Sequence, residues 1–141
     1  INVALDTSGC VYTKEVEDLI EDIDLVLLDI KGINKENYHS ITNGTIDNFN
    51  KFLKLLESKN KKIWLRIVII PNINDNIEYI KELAEYIKPI KNVERIDLLP
   101  YHKIGDSKYE ELNISNPLKD TNAMDTIECK RLEDILKDLL K

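Results

Sequence analysis

Apolar residues follow two alternating patterns along this chain, short continuous runs and stripes with a helical period. The continuous runs predict four buried strands, because a strand covered on both faces is apolar throughout. These strands are Asn2–Asp6, Asp24–Lys31, Lys62–Pro71 and Val93–Leu99. The helical stripes lie between the runs, so the predicted order is β-α-β-α-β-α-β-loop-α.

Polar residues mark where the predicted helices begin. Thr13 is a candidate N-cap for the first helix, and Asn74 or Asp75 for the helix that ends before Pro89. Asp125, with Glu128 three residues later, fits a capping box for the last helix. The apolar stripe predicted to be buried on this last helix consists of Leu132, Ile135, Leu136 and Leu139.

Two segments carry weaker signals. Residues 35–39 predict one helical turn, followed by a turn at Asn43-Gly44. Residues 103–126 are polar and contain Gly105 and Pro117, so the pattern predicts a long irregular stretch. Trp64 is interpreted as core packing and His39 as incidental.

The alternation of strands and helices predicts an α/β fold. Strands separated by helices of about ten to fifteen residues form right-handed βαβ units and a parallel sheet. Four strands make an open sheet or an arc of a barrel. The 141 residues are enough for a single domain, 1–141, with a core of its own.

Composition narrows the class of protein. A formal net charge of −6 argues against a nucleic-acid partner, which needs a basic face. No apolar run approaches the length of a membrane span, and no leader segment is visible. The two cysteines, Cys10 and Cys129, have no metal-binding spacing, so they are interpreted as reduced thiols of a cytoplasmic protein. Because Ile1 opens directly onto a strand, we expect the chain to be a piece of a longer protein.

Polar side chains gather at the predicted C-terminal ends of the strands, where parallel α/β proteins place their chemistry. They are Asp6, Thr7, Asp29, Lys31 and His102, together with Arg66 in the middle of its strand. Taken singly, the acids could be helix caps, Lys31 a surface lysine and His102 an incidental loop residue. Arg66 is different, because a charge inside an apolar strand must be paired or face a polar cavity. Asp29 and Asp97 are its candidate structural partners. No nucleophile, P-loop or dinucleotide motif is present.

Three sequence blocks, in this order, carry a resemblance to a known family. The blocks are DLVLLDIK, KIWLRIVIIP followed by IND, and IDLLPYHKIGDSKYEEL. They resemble the C-terminal half of the glycyl-radical-enzyme activases, a family of radical S-adenosylmethionine enzymes. The WLR block and LLPYH followed by G and KY favour the branch that acts on pyruvate formate-lyase.

The resemblance implies a partial, TIM-like (β/α)6 barrel, of which this chain holds about four strands. It implies S-adenosylmethionine and a 4Fe-4S iron–sulfur cluster held by a CxxxCxxC loop. It also implies a 5′-deoxyadenosyl radical that takes hydrogen from a glycine of pyruvate formate-lyase. A flavodoxin or ferredoxin would supply the electron.

The resemblance also assigns roles to residues. Those that stand where the family contacts S-adenosylmethionine or the substrate loop are Asp29, Lys31, Arg66 and His102, with Val68 and Leu99 as apolar neighbours of the nucleoside. Those that match a monovalent-cation site are Asp6, Thr7, Asp29 and the carbonyl of Leu27.

The sequence departs from the family in two ways. It has no CxxxCxxC loop and no glycine-rich strand end for the methionyl amine, so the cluster-binding N-terminal part is expected upstream and the piece alone is expected to be inactive. Asn72 stands where the family usually has glycine after the strand-ending proline, so the loop before Asp75 is a second departure from the family's pattern.

Other readings remain open at this point. One is a non-catalytic, degenerate activase module that binds a protein partner or a nucleotide. Another is a doubly wound domain, which predicts a strand order with a reversal. If barrel strands are missing, the first strand is an unpaired edge that invites pairing with another chain, so a dimer is expected there.

Overall fold

A computed structural model describes residues 1–141, which form four strands, six α-helices and one short 3-10 helix. The strands are β1 (Ala4–Thr7), β2 (Leu25–Asp29), β3 (Lys62–Ile69) and β4 (Val93–Pro100). The helices are α1 (Lys14–Glu21), α2 (Lys35–Thr42), α3 (Asp47–Ser58), α4 (Ile77–Ile87), α5 (Asp106–Glu111) and α6 (Thr126–Leu139).

The four strands form one parallel sheet in the order β1-β2-β3-β4. The α/β fold class predicted from the sequence is therefore confirmed. Sequential order without a reversal contradicts the doubly wound alternative, in which the strand order reverses at a switch point. β1 lies at one edge of the sheet, as predicted, and the dimer expected at this edge stays a prediction.

The residues group into two compact units, and the interpretation of 1–141 as one domain stays a prediction. The first unit comprises residues 1–67 and 85–97, and the second comprises residues 68–84 and 98–141.

The core of the first unit lies on one face of its strands. Side chains alternate along a strand, and the fully buried ones are Val26 and Leu28 of β2 and Ile63 and Leu65 of β3. The alternate positions are only half-buried, and they are Leu25, Leu27 and Asp29 of β2 and Trp64 and Arg66 of β3. The prediction that Trp64 packs in the core is therefore wrong. Its ring instead lies 5.0 Å from the guanidinium of Arg95.

Gly9 closes the turn between β1 and α1. Its φ of +63° is in the left-handed region, and a Cβ there would lie 2.9 Å from the Phe52 ring. Only glycine fits without strain, because it tolerates this φ and occupies no space beyond its backbone.

The second unit has its own apolar core, to which α6 contributes Leu132 and Leu136 as predicted. The prediction for the rest of the stripe is wrong. Cys129 and Glu133 are buried, whereas Leu139 is exposed and Ile135 only half-buried. The buried face of α6 therefore consists of Cys129, Leu132, Glu133 and Leu136, and it includes the Glu133 carboxylate.

Two of the predicted helix caps are confirmed. Thr13 accepts a hydrogen bond from the Val16 amide, and Asp125 accepts from the amides of Ile127 and Glu128. The predicted cap of α4 is wrong, because Asn76 fills that role by accepting from the Tyr79 amide at 2.9 Å.

The two weakly patterned segments hold more helix than predicted. Helix α2 extends for eight residues and ends at Asn43, which adopts the left-handed conformation before Gly44. The stretch expected to be irregular contains the 3-10 helix Lys103–Gly105 and α5. None of the helices is long and apolar enough to cross a membrane.

Candidate functional site

Strand register places Asp29 beside Arg66 in the first unit. The two residues are partners in the β2–β3 ladder, so their side chains leave the same face of the sheet. Arg66 Nε donates to Asp29 Oδ1 at 2.8 Å. The predicted pairing of Arg66 with Asp29 is thus present, whereas Asp97 pairs with Arg95 at 2.8 Å.

Arg66 also reaches across to Asp6 on β1. Its Nη1 donates to Asp6 Oδ2 at 3.0 Å, and its Nη2 donates to Asp6 Oδ1. One guanidinium therefore bridges two carboxylates from the two strands that precede it in the sheet. The sequence reasoning missed Asp6 as a partner, because nothing in one strand's pattern reports which strands lie beside it.

Lys31 completes the group from the loop after β2. Its Nζ donates to Asp29 Oδ2 at 3.0 Å. The next residue, Gly32, is wedged against α2, since a Cβ there would lie 2.4 Å from the Tyr38 nitrogen. This close approach fixes the loop and hence the position of Lys31. We call Asp6, Asp29, Lys31 and Arg66 the charge cluster.

The charges of the charge cluster are paired with one another, but the side chains remain accessible to solvent. Two acids face two bases, and the side chains of Asp29 and Arg66 are 22% and 21% exposed, while Asp6 is 64% exposed. The hydrogen bond to Asp6, together with the charge of Asp29, raises the pKa of Arg66 against the opposing effect of burial. The cluster therefore offers fixed positive and negative groups, which suits a zwitterionic ligand with a carboxylate and a cationic group.

The predicted monovalent-cation site involves the same carboxylates. Asp6 and Leu27 are register partners, and the hydroxyl of Thr7 accepts from the Gly9 amide at 3.1 Å. The guanidinium of Arg66 already contacts both acids, so a cation would compete with it. Cation binding at Asp6, Thr7, Asp29 and the Leu27 carbonyl stays a prediction.

The remaining predicted residues, Val68, Leu99 and His102, belong to the second unit. Val68 is half-buried near the end of β3, Leu99 is exposed on β4, and His102 is exposed in extended backbone before the 3-10 helix. Their role beside a nucleoside or substrate loop stays a prediction.

Two polar residues of the second unit were missed as structural elements, Asn74 and Glu133. Both are buried, and both hydrogen-bond strand backbone. Asn74 was predicted only as a helix cap. Glu133 had a sequence signal, since it falls three and four residues from apolar neighbours on α6, but an acid in that position is usually taken as exposed.

The cysteines do not fit an iron–sulfur cluster. Cys10 is exposed and Cys129 is buried, and burial, with the nearby charge of Glu133, raises the pKa of the Cys129 thiol. No group of three or more His, Cys, Asp or Glu side chains is placed to hold a metal ion.

Comparison with solved structures identifies the fold. The fold matches a domain of pyruvate-formate lyase-activating enzyme from Bacteroides vulgatus, with a TM-score of 0.73 and 20% identity over 99% of this chain and 77% of that one. It also matches a radical SAM methyltransferase from Sphaerobacter thermophilus, with a TM-score of 0.64 and 14% identity over 96% of this chain and 37% of that one. The chain thus has the α/β fold found in radical S-adenosylmethionine enzymes.

Sequence comparison gives the particular relatives. The chain is 45% identical over all of its 141 residues to the pyruvate formate-lyase-activating enzyme of Clostridium pasteurianum, of which it covers 59%. It is a homologue of the pyruvate formate-lyase-activating enzymes, and the resemblance predicted from the three sequence blocks is confirmed. It spans about half the length of the curated relatives that it matches. No protein-family model matches the chain.

Proposed function

We propose that this chain is the C-terminal, S-adenosylmethionine-facing part of an enzyme that activates a glycyl-radical enzyme of the pyruvate formate-lyase type. The observation that carries the proposal is the charge cluster at the C-terminal ends of β1 to β3, in a chain homologous along its whole length to the activating enzymes. Neither observation suffices alone, because surface ion pairs are common and homology does not identify working residues.

The charge cluster matches the amino-acid portion of S-adenosylmethionine. Lys31 and Arg66 present donors that suit its carboxylate, Arg66 in a planar fork. Asp29 and Asp6 present acceptors for an ammonium, a sulfonium, a ribose hydroxyl or a cation. Because each charge is already paired within the charge cluster, a ligand would replace one ion pair with another. Binding would therefore not carry the free-energy cost of burying an unpaired charge.

The resemblance assigns further contacts to Val68, Leu99 and His102. Val68 and Leu99 offer apolar surface to a nucleoside, and His102 offers an exposed imidazole at the end of β4. When bound to the complete enzyme, S-adenosylmethionine would supply a 5′-deoxyadenosyl radical that takes hydrogen from a glycine. The residues of this chain would bind and orient S-adenosylmethionine. The iron–sulfur cluster and its three cysteines would come from the part upstream, so the chain alone would be inactive.

The proposed partners follow from the same reading. They are a glycyl-radical enzyme of the pyruvate formate-lyase type and a flavodoxin or ferredoxin as electron donor. Such partners imply a location in the cytoplasm.

Expression of the complete reading frame tests the proposal. The protein is purified without oxygen, reconstituted with iron and sulfide, reduced, and mixed with S-adenosylmethionine and pyruvate formate-lyase. We expect release of 5′-deoxyadenosine and methionine, and a glycyl-radical signal in electron paramagnetic resonance. An upstream sequence without three clustered cysteines, or a natural start near Ile1, would overturn the proposal and favour the non-catalytic module.

A further inference from the structure

Two polar side chains are buried, Asn74 at 3% and Glu133 at 9% relative exposure. Both lie in the second unit. A buried polar group stabilises a protein only if its hydrogen bonds are satisfied, so its partners show what it holds in place. In both cases the partners include the backbone of a strand end.

Asn74 holds the end of β3. Its Nδ2 donates to the Val68 carbonyl at 2.9 Å, and its Oδ1 accepts from the Ile70 amide at 2.7 Å. One backbone acceptor and one backbone donor fix the orientation of the amide. Both contacts hold the amide against the turn that follows Val68.

Glu133 holds β4 from helix α6. Its Oε2 accepts from the Leu98 amide at 3.1 Å, and the Sγ of Cys129, one turn earlier on the helix, contacts the Leu98 carbonyl at 3.6 Å. Lys130 and Lys137 donate to Oε1 of the same carboxylate at 2.7 and 2.5 Å. Leu98 immediately precedes Leu99, so Glu133 binds the backbone directly before Leu99.

The two strand ends held in this way lie side by side. Tyr101 N donates to Ile69 O at 3.0 Å. In a parallel ladder this bond places residue 101 opposite residue 70, and Val68 and Leu99 each lie two residues before a member of that pair. Asn74 binds the backbone of Val68, and Glu133 binds the residue next to Leu99.

We propose that Asn74 and Glu133 are positioning residues that set the spacing of Val68 and Leu99 as the apolar floor for a nucleoside. We call the two side chains the backbone tethers. The inference rests on the proposed function, since that is what assigns a nucleoside to Val68 and Leu99. It adds that the affinity for the nucleoside depends on two residues that do not touch it.

The test separates the nucleoside from the amino-acid portion of the ligand. Dissociation constants for 5′-deoxyadenosine and for L-methionine are measured by calorimetry on the complete, reconstituted protein. Asn74→Asp is isosteric and keeps the acceptor for Ile70, but loses the donor to Val68. Glu133→Leu removes the acceptor for Leu98, whereas Glu133→Gln keeps it. Matched controls are Asn76→Asp, two residues along the same loop, which retains its capping oxygen, and Asp134→Asn on the exposed face of α6.

We expect Asn74→Asp and Glu133→Leu to weaken 5′-deoxyadenosine binding by about tenfold, the size of effect that one well-placed polar contact has on a dissociation constant. We expect Glu133→Gln and the two controls to stay within about twofold of the parent for the nucleoside, as substitutions that keep the relevant contacts usually do. L-methionine should bind every variant within about twofold of the parent, because its contacts lie elsewhere.

The outcomes are distinguishable. Nucleoside affinity that is unchanged in folded Asn74→Asp and Glu133→Leu overturns the inference. A parallel loss of both ligands also overturns it, since it indicates general destabilisation. If Glu133→Leu does not fold, Asn74→Asp decides alone against Asn76→Asp. Failure of the unmutated protein to bind either ligand counts against the proposed function itself.

Discussion

The charge cluster and the backbone tethers use polar side chains in opposite ways. In the cluster, side chains bind one another across β1, β2 and β3 and remain partly exposed. In the tethers, side chains bind the main chain and are buried. Groups that are compensated yet reachable can exchange partners with a ligand. Groups that are buried and fully satisfied cannot, and instead fix the shape of the strand ends.

This difference predicts where stability and where binding reside. Removing a tether leaves a buried backbone donor or acceptor without a partner, which costs the full desolvation of that group. Removing a cluster residue leaves a charge that water can still reach, which costs less. Tether variants should therefore be unstable, whereas cluster variants should be stable but poor in binding.

The largest expected effect is that of Glu133→Leu. It leaves the Leu98 amide unsatisfied and the ammonium groups of Lys130 and Lys137 without their shared carboxylate. The free energy of unfolding should fall by about 3 kcal/mol, the range for breaking a buried hydrogen-bonded charge. Urea denaturation followed by circular dichroism measures it, with Asp134→Asn as the control. A loss as small as that of the control would remove the distinction between the two regions.

Acid should weaken the same tether. Burial alone would raise the pKa of Glu133, but hydrogen bonds from Lys130, Lys137 and the Leu98 amide outweigh it and lower the pKa to about 2 from 4.5. A carboxylate whose pKa is lower in the folded state stabilises the fold above its unfolded pKa, and this contribution is lost as pH falls through 4.5 toward 2. The full contribution is about 3 kcal/mol by linkage.

Urea denaturation of the parent and of Glu133→Gln between neutral and acid pH isolates the contribution of the Glu133 carboxylate to the free energy of unfolding, since the amide does not titrate. The stability difference between the two proteins should be largest at neutral pH and should shrink in acid. A difference that does not change with pH would contradict a carboxylate held ionised by the tether.

The smallest effect on stability is expected for Arg66→Met in the cluster. It removes the ion pairs to Asp6 and Asp29, but both acids remain reachable by water, so unfolding should become easier by only about 1 kcal/mol. On the complete protein, L-methionine should bind about tenfold more weakly, because a carboxylate loses its bidentate partner. Binding of 5′-deoxyadenosine should not change, the reverse of the result expected for the tethers. A stability loss as large as that of Glu133→Leu would place Arg66 with the tethers.

Local sequence patterns were enough to predict the order of the strands and helices. Apolar runs and helical stripes are local signals, and they identified all four strands and the end of α4 before Pro89, while polar residues identified the caps Thr13 and Asp125. The isolated charge in KIWLRIVIIP required a partner for Arg66, because an unpaired charge within an apolar strand is too costly. The whole-chain resemblance to the activating enzymes also followed from sequence alone.

Which side chains come into contact depends on how the strands and helices pack together. Asp6 joins Asp29 at Arg66 because β1, β2 and β3 lie in sequence order and in register, and register is a relation between strands that no single strand encodes. Asn74 was predicted as a helix cap because the side-chain amide of an asparagine can hydrogen-bond the backbone at a helix start or at a strand end equally well. Glu133 and Cys129 are buried in the second unit, whereas Leu139 is exposed. The sequence did not predict this, because helical periodicity identifies a stripe of residues but not where the neighbouring strand ends. Periodicity reports burial along one element, and only the packed chain supplies the partner on the next.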